Sequence, residues 1–486
     1  LTYYRELART TEPLLRTHRQ IEAIARLERE HENLRTALRY AVAARDEQEA
    51  LCLVLSLVYH WQMRDMHGEA RTWCTEVAAL GPDPFAEPVR RAAPVWEPCI
   101  AAPPPLTGEV LQEARRGVHL ACLAYAQYEP ETWRTPGTRR RLEIISEVYE
   151  PGMPQTCRPP GLVWFIAAFM LGDADRMHAV LDACVRTCRS TPGFEWELAN
   201  ALRMRADLFA NRADRADEAV RDAEEALEIY RRIGDAWGLA EAHAARAEAH
   251  ERRGTYLAAA ADYEAAIAHA RRLGSDGQVA VLRTRLGSAL LEAGGHEERG
   301  ERLLREVIED GSHTLQDVLP AARLFLAGWL SVRGRLAEAR EHLRTLQEEY
   351  PLPQFVVFDN FVLGMAAWLD ALDGRHEEAL DKVRRVLREA QEPLSRTVAP
   401  QMSSVYLTVG AFALAGLDGG GRARDAARCL AAADGQLPPR HVPSAMERHV
   451  RDLAEQRIRA ALGERAYRDA YAQGGGLSVG EAAALL

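Results

Sequence analysis

Between residues 247 and 379 this chain repeats one spacing: a small residue, a turn glycine seven positions on, and a second small residue five after that. Gly254, Gly294, Gly334 and Gly374 stand 40 residues apart. Ala247, Gly287, Ala327 and Ala367 precede them by seven, and Ala259, Ala339 and Ala379 follow three of them by five. Gly300, five after Gly295, fills the remaining slot. A fixed period of this size marks helical hairpins stacked in an array. The glycine ends the first helix, where a C-terminal cap needs positive φ at little cost. The small residue lets the second helix of the pair approach closely. Such an array offers a surface for binding and brings no chemistry of its own.

The frame reaches beyond those four units. Gly172, Ala213 and Gly254 are 41 apart, Ala206 and Ala219 flank Ala213 at the small positions, and the turn at Gly419-Gly420-Gly421 continues the series. About seven helical pairs are expected over 161–432, with Pro192, Pro351, Pro353 and Pro400 between pairs. Residues 1–80 read as an N-terminal helical segment, from the helical spacing of Ile24, Leu27, Leu34, Leu38 and Ala41, a more buried helix at Leu51 to Trp61, and another at Arg71 to Leu80. Residues 81–107 carry Pro82, Pro84, Pro88, Pro94, Pro98 and Pro103-Pro104-Pro105, a density that removes helix hydrogen bonds and predicts a linker. Residues 108–160 read as irregular helices over 108–129 and 136–149, followed by a break between Pro151 and Pro160. In 433–486 a loop at Gly435 and Pro438-Pro439 precedes helices from Ser444 to about Leu462 and from Glu464 to Ala472. A last short helix opens on a capping box, Ser478 with Glu481. This tail is expected to close the apolar end of the array. No strand pattern is visible, so the fold class is all-α: an α-solenoid with a helical N-terminal segment and C-terminal capping helices.

Composition narrows the function classes. The chain has 486 residues, 47% apolar and 27% charged, as expected of a soluble helical protein. The net charge of −10 argues against electrostatic binding of nucleic acid, and Arg139-Arg140-Arg141 reads as solvated helix face. Lys382 is the only lysine, a bias we assign to a GC-rich bacterial genome. The eight cysteines are irregularly spaced, which suits a reduced, cytoplasmic setting better than a disulfide framework. Cys184 and Cys188 share a helix face without further ligands at metal spacing, so packing is the ordinary account of them. No signal peptide is evident, and the apolar runs Gly161 to Gly172 and Val405 to Leu417 are too short to span a bilayer. The chain opens on Leu1, as a piece of a longer protein would.

Enzyme motifs are missing. There is no phosphate-cradling G-x-x-x-x-G-K-[ST], no G-x-S-x-G elbow, and no second histidine four residues after His31, His250, His296 or His376. The glycine clusters at 419–421 and 474–476 lack the preceding strand of a dinucleotide loop. The expectation is a non-enzymatic chain without a metal. The first helix of each pair should line a concave face. Slots at −6, −3 and +1 from the small residue select Asn200, Arg203, Asp207, Glu241, Glu248, Thr284, Ser288 and Trp368 as candidate contacts for a peptide or protein segment.

The array resembles the tetratricopeptide class with longer arms; Trp196 and Trp237 each precede a small residue by ten, loosely at its aromatic slot. The ends resemble something narrower. Tyr3-Tyr4, Glu12-Pro13-Leu14-Leu15-Arg16 and Arg26-Leu27-Glu28-Arg29-Glu30-His31-Glu32-Asn33-Leu34-Arg35-Thr36-Ala37-Leu38 are similar to a segment that follows a STAND-type ATPase in large actinobacterial regulators. Gly463-Glu464-Arg465-Ala466-Tyr467, Gly476-Leu477-Ser478 and Glu481-Ala482 resemble their C-terminal end, including that of the large antibiotic-regulatory proteins. The resemblance implies a sensor or autoinhibitory region that controls an upstream ATPase and DNA-binding module. ATP would then belong to that module, and no cofactor to this chain. The implied partners are a protein or peptide, the ATPase module among them, with a small-molecule effector compatible. Direct nucleic-acid contact and membrane insertion are not expected, and oligomerisation stays open. The alternative is a free-standing repeat adaptor or peptide receptor.

Overall fold

A computed structural model describes residues 1–125, 135–210, 212–310, 318–349 and 356–486. Among them all regular structure is helical. In chain order the α-helices are α1 (Thr2–Thr11), α2 (Gln20–Arg29), α3 (His31–Ala43), α4 (Glu47–Met63), α5 (His67–Ala78), α6 (Gly108–Tyr125) and α7 (Pro136–Val148). Then come α8 (Phe165–Leu171), α9 (Ala174–Ser190), α10 (Glu195–Ala210), α11 (Ala216–Ile233), α12 (Ala236–Arg252), α13 (Tyr256–Arg272), α14 (Asp276–Glu292) and α15 (Glu297–Asp310). The rest are α16 (Leu319–Val332), α17 (Leu336–Glu349), α18 (Val356–Leu372), α19 (His376–Ala390), α20 (Pro393–Val398), α21 (Met402–Leu414), α22 (Ala423–Gly435), α23 (Ala445–Leu462), α24 (Glu464–Gly474) and α25 (Val479–Ala483). Helices pack mainly on sequence neighbours, as hairpins of an α-solenoid do. The part of the expected 108–129 helix beyond 125, and Pro351 and Pro353, lie outside the described residues. No helix among those described is long and apolar enough to cross a membrane.

The repeating signature has the geometry its residue types require. Gly254, Gly294, Gly334 and Gly374 have φ between +64° and +80°, each just past the first helix of a pair. Ala247, Ala327, Ala367, Ala259, Ala339 and Ala379 are fully buried. Contact is tightest where both small positions are glycine. A Cβ at Gly300 would stand 2.7 Å from the Gly287 carbonyl oxygen, and one at Gly287 would stand 2.9 Å from Leu304 Cγ. The backbones of α14 and α15 meet there with nothing between them.

The chain divides into two compact units. The first comprises Leu1–Phe209, Asp217–Glu248 and Ala261–Leu282, and the second Ala210–Ala216, Ala249–Ala260 and Arg283–Leu486. In the first, α4 is buried on nearly every side, and the Asp46 side chain caps it by accepting the Glu49 N–H at 3.2 Å. The N-terminal segment is held to the first pairs by polar contacts. The Arg16 guanidinium lies over the rings of Tyr59 and Trp196, at 4.7 and 4.8 Å, and pairs with Glu12 at 2.5 Å. Gln20 reaches the turn before α12. The proline-rich stretch is non-helical, but it is no free spacer: Phe85 is fully buried, Ala92 N–H donates to the Val148 carbonyl at 3.0 Å, and Gln155 bridges Val95 and Ala93. Prolines remove part of its donors, and distant acceptors take several of the others, those of Ala92, Ala93, Val95 and Leu106 among them.

In the second unit α16 to α19 and α21 with α22 continue the hairpins. The tail does more than close an end. α24 and α25 pack on α22, whereas α23 runs back over α16 and α21. Ser444 opens α23 with a full capping box to Glu447, and Ser478 opens α25 with one to Glu481. Lys382 is committed to Asp370 at 2.6 Å.

Candidate functional site

Four of the eight sequence candidates meet in the first unit. Asn200, Arg203 and Asp207 follow one another along a face of α10, and Glu241 faces them from α12. The Arg203 guanidinium donates to Asp207 at 2.8 Å and to Asn200 at 3.0 Å, with Glu241 at 3.7 Å. Glu241 also accepts from the Gln278 amide. Burial pushes the Asp207 carboxyl up to about 7; Arg203 opposes this, and the charges of Glu248 and Glu241 add to it. The Asp207 side chain keeps 40% of its accessibility, so the wall is crowded but wetted. Glu248 is half-buried on the same helix as Glu241. Arginine and carboxylates here largely satisfy one another, which leaves a polar wall more than an empty site.

Two candidates are corrected. Thr284 is 2% exposed and presents no surface. Trp368 is fully buried: its indole N–H donates to Ser331 Oγ at 3.2 Å, and the ring meets Phe412 edge-on at 5.2 Å. His449 of α23 lies 6.3 Å away. The side chain faces inward, where Phe412 of α21 and His449 of α23 meet it.

Ser288 lies on the wall of a cavity of about 370 Å³ contained in the second unit. Successive first helices of the pairs each give one face: Arg285, Ser288 and Glu292 from α14; Phe325, Gly328, Trp329 and Val332 from α16; Phe361, Gly364 and Met365 from α18; Met402, Val405, Tyr406 and Val409 from α21. These positions recur at helical spacing, a signal that was present in the sequence. The turn between α12 and α13 adds Glu251, Arg252 and Tyr256. The segment His441–Glu447 supplies the remaining wall. Its anchors are specific: Ala445 N–H donates to Glu292 at 2.8 Å, and His441 meets Glu447 at 3.2 Å. Val442 seats on Gly254, where a Cβ would come within 3.0 Å of its methyl. Burial raises the Glu447 carboxyl, but His441 and the Ser444 donors hold it below its ordinary value. The lining is thus aromatic, aliphatic and thioether, with a few polar groups at the wall, the usual makeup of a small-molecule site.

A second cavity, about 270 Å³, lies in the first unit between Pro13 and Arg16, residues 97–101, α6 and Pro159-Pro160. Glu113 on its wall is 3% exposed, and burial pushes its carboxyl up to about 7 against the opposing Arg116 and Tyr149. Arg116 also has Glu109 at 2.7 Å, so its charge is balanced without Glu113. A raised carboxyl means that the folded chain binds the proton more tightly than the unfolded one. The stabilisation is present at low pH and is lost as pH rises from the ordinary value of 4.5 through about 7. Glu113→Gln should therefore flatten the decline in urea stability between pH 5 and pH 8 by about 2–3 kcal/mol. An unchanged pH slope in the variant would show that Glu113 is not the group protonated.

No group of three or more His, Cys, Asp or Glu side chains that could hold a metal occurs among the described residues. Comparison with protein-family models and with curated proteins finds no match to this chain.

Proposed function

We propose that this chain is the sensor and autoinhibitory region of a multi-domain bacterial transcriptional regulator, non-enzymatic itself, that controls an upstream ATPase and DNA-binding module. The observation that carries the proposal is the second unit's cavity. It is built jointly by four successive first helices and the 441–447 segment, so an occupant that fills it would contact several of them at once. A ligand that prefers one arrangement of those helices shifts the population toward it, by as much as its affinities for the two differ. The N- and C-terminal motifs quoted above supply the regulator context, and ATP belongs to the upstream module.

The complete reading frame tests the regulatory half. ATP hydrolysis and DNA binding should rise when the frame is truncated before Leu1. Unchanged activity, or a frame with no ATPase, removes the regulator and leaves the adaptor. The ligand half is tested on the cavity wall. The Ser288 hydroxyl makes no hydrogen bond among the described residues and the residue is half-buried, so Ser288→Trp should fill the cavity without disturbing the fold. Binding of the dye 1-anilinonaphthalene-8-sulfonate should weaken at least tenfold with an unchanged circular dichroism spectrum; equal binding would place the dye elsewhere.

One observation favours a peptide receptor as the second reading. Residues 441–444 have no regular secondary structure and lie along the inner helices, as a bound peptide would.

A further inference from the structure

Glu292 ends α14 on the wall of the 370 Å³ cavity. One carboxylate oxygen accepts the Ala445 N–H at 2.8 Å, and Arg448 approaches that same oxygen at 3.7 Å. The other oxygen has no protein donor among the described residues. Burial raises the Glu292 carboxyl, opposed by the Ala445 N–H and Arg448. The neighbouring cations are engaged: Arg252 donates to the Ala210 carbonyl at 3.1 Å, and Arg285 stands 3.8 Å from Glu251. Burial, and then the charge of Glu292, push the nearby Tyr256 hydroxyl up to about 12. Glu292 is thus a half-satisfied carboxylate on a wall shared with Phe325, Trp329, Phe361, Met365 and Tyr406.

Each class of occupant meets this differently. A carboxylate ligand would bring the free Glu292 oxygen no donor and set a second negative charge beside it. A neutral apolar ligand would strip water from the free Glu292 oxygen and give it no donor, a penalty for a buried polar group. A protonated amine gives it a charge-assisted hydrogen bond, and aromatic faces tolerate the cation. Accepting that the cavity is a ligand site, we propose that it takes a small apolar amine, its ammonium on Glu292 and its body against the aromatic and thioether wall.

Tryptamine, tryptophol and indole-3-propionate share one body and differ in the end group, and each is titrated calorimetrically into the whole chain. Tryptamine should bind at least tenfold more tightly than tryptophol, and the propionate most weakly. In Glu292→Gln the amide oxygen still accepts Ala445 N–H, so the segment His441–Glu447 stays anchored. There tryptamine should lose its advantage over tryptophol. Equal or tighter binding of tryptophol or the propionate to the unaltered chain overturns the proposal, as does an advantage that persists in Glu292→Gln. Failure of all three probes to bind overturns the ligand-site reading itself and leaves a protein segment as the occupant.

Discussion

Asp235→Ala should loosen the first unit by about 3 kcal/mol or more, because it takes an acceptor from three buried donors at once. Asp235 is fully buried in the turn between α11 and α12. One oxygen accepts the Gly238 N–H at 2.8 Å, which caps α12, and the Gln20 amide at 2.8 Å; the other accepts the Trp196 indole N–H at 2.7 Å. Gln20 is itself held by the Trp237 N–H at 3.0 Å and by the Leu15 carbonyl at 2.6 Å. Burial raises the Asp235 carboxyl, and these three donors oppose that rise. Alanine leaves the Gly238 N–H and the Trp196 indole N–H buried without an acceptor and the Gln20 amide with the Leu15 carbonyl alone, at about 1–3 kcal/mol for each lost acceptor. Amide hydrogen exchange in α2 and α12 should quicken by about a hundredfold or more. Asp235→Asn should lie between, since its oxygen can keep Gly238 and Gln20 while its amide faces the indole N–H. Wild-type exchange rates in Asp235→Ala would mean that the N-terminal segment is held by apolar packing alone.

Asp235 also shows where the sequence stops being legible. As a helix cap it is readable from the short-range pattern. Its role as a tie is not, because its partners Trp196 and Gln20 lie 39 and 215 residues away. The glycine and alanine lattice was legible because each member acts within one hairpin, through a local φ or a close contact with the next helix. The same holds for Ser478, whose box to Glu481 spans three residues. The 81–107 stretch shows the limit of composition: proline density predicts the loss of helix, and it does not predict that Phe85 is buried. The cavity failed for a related reason. Its four helical faces were present as spaced Phe, Met and Val positions, but its remaining wall comes from 441–447, over a hundred residues downstream of α14 and α16. A slot rule that counts from the small residue found Ser288 and passed over the aromatic positions beside it.

Trp368 carries the same lesson to a measurable result. The rule places it on the inner face, and there a tryptophan would have been a contact for a partner. The structure gives that contact to the chain itself, through Phe412 and α23. Its indole N–H keeps Ser331 Oγ paired, and Ser331 in turn donates at 2.7 Å to the carbonyl of Gly328, a residue of the cavity wall. Trp368→Ala should therefore cost about 3–5 kcal/mol, the sum of a large lost apolar surface and the void left behind. Because the chain has two compact units, the loss should be read locally: exchange in α16, α18 and α21 quickens by at least two orders of magnitude, while α1 to α6 keep wild-type protection. Trp368→Phe retains most of the packing and loses the hydrogen bond, and should cost about 1–2 kcal/mol. If Trp368 instead served as a surface contact, both variants would leave exchange unchanged and only partner binding would fall.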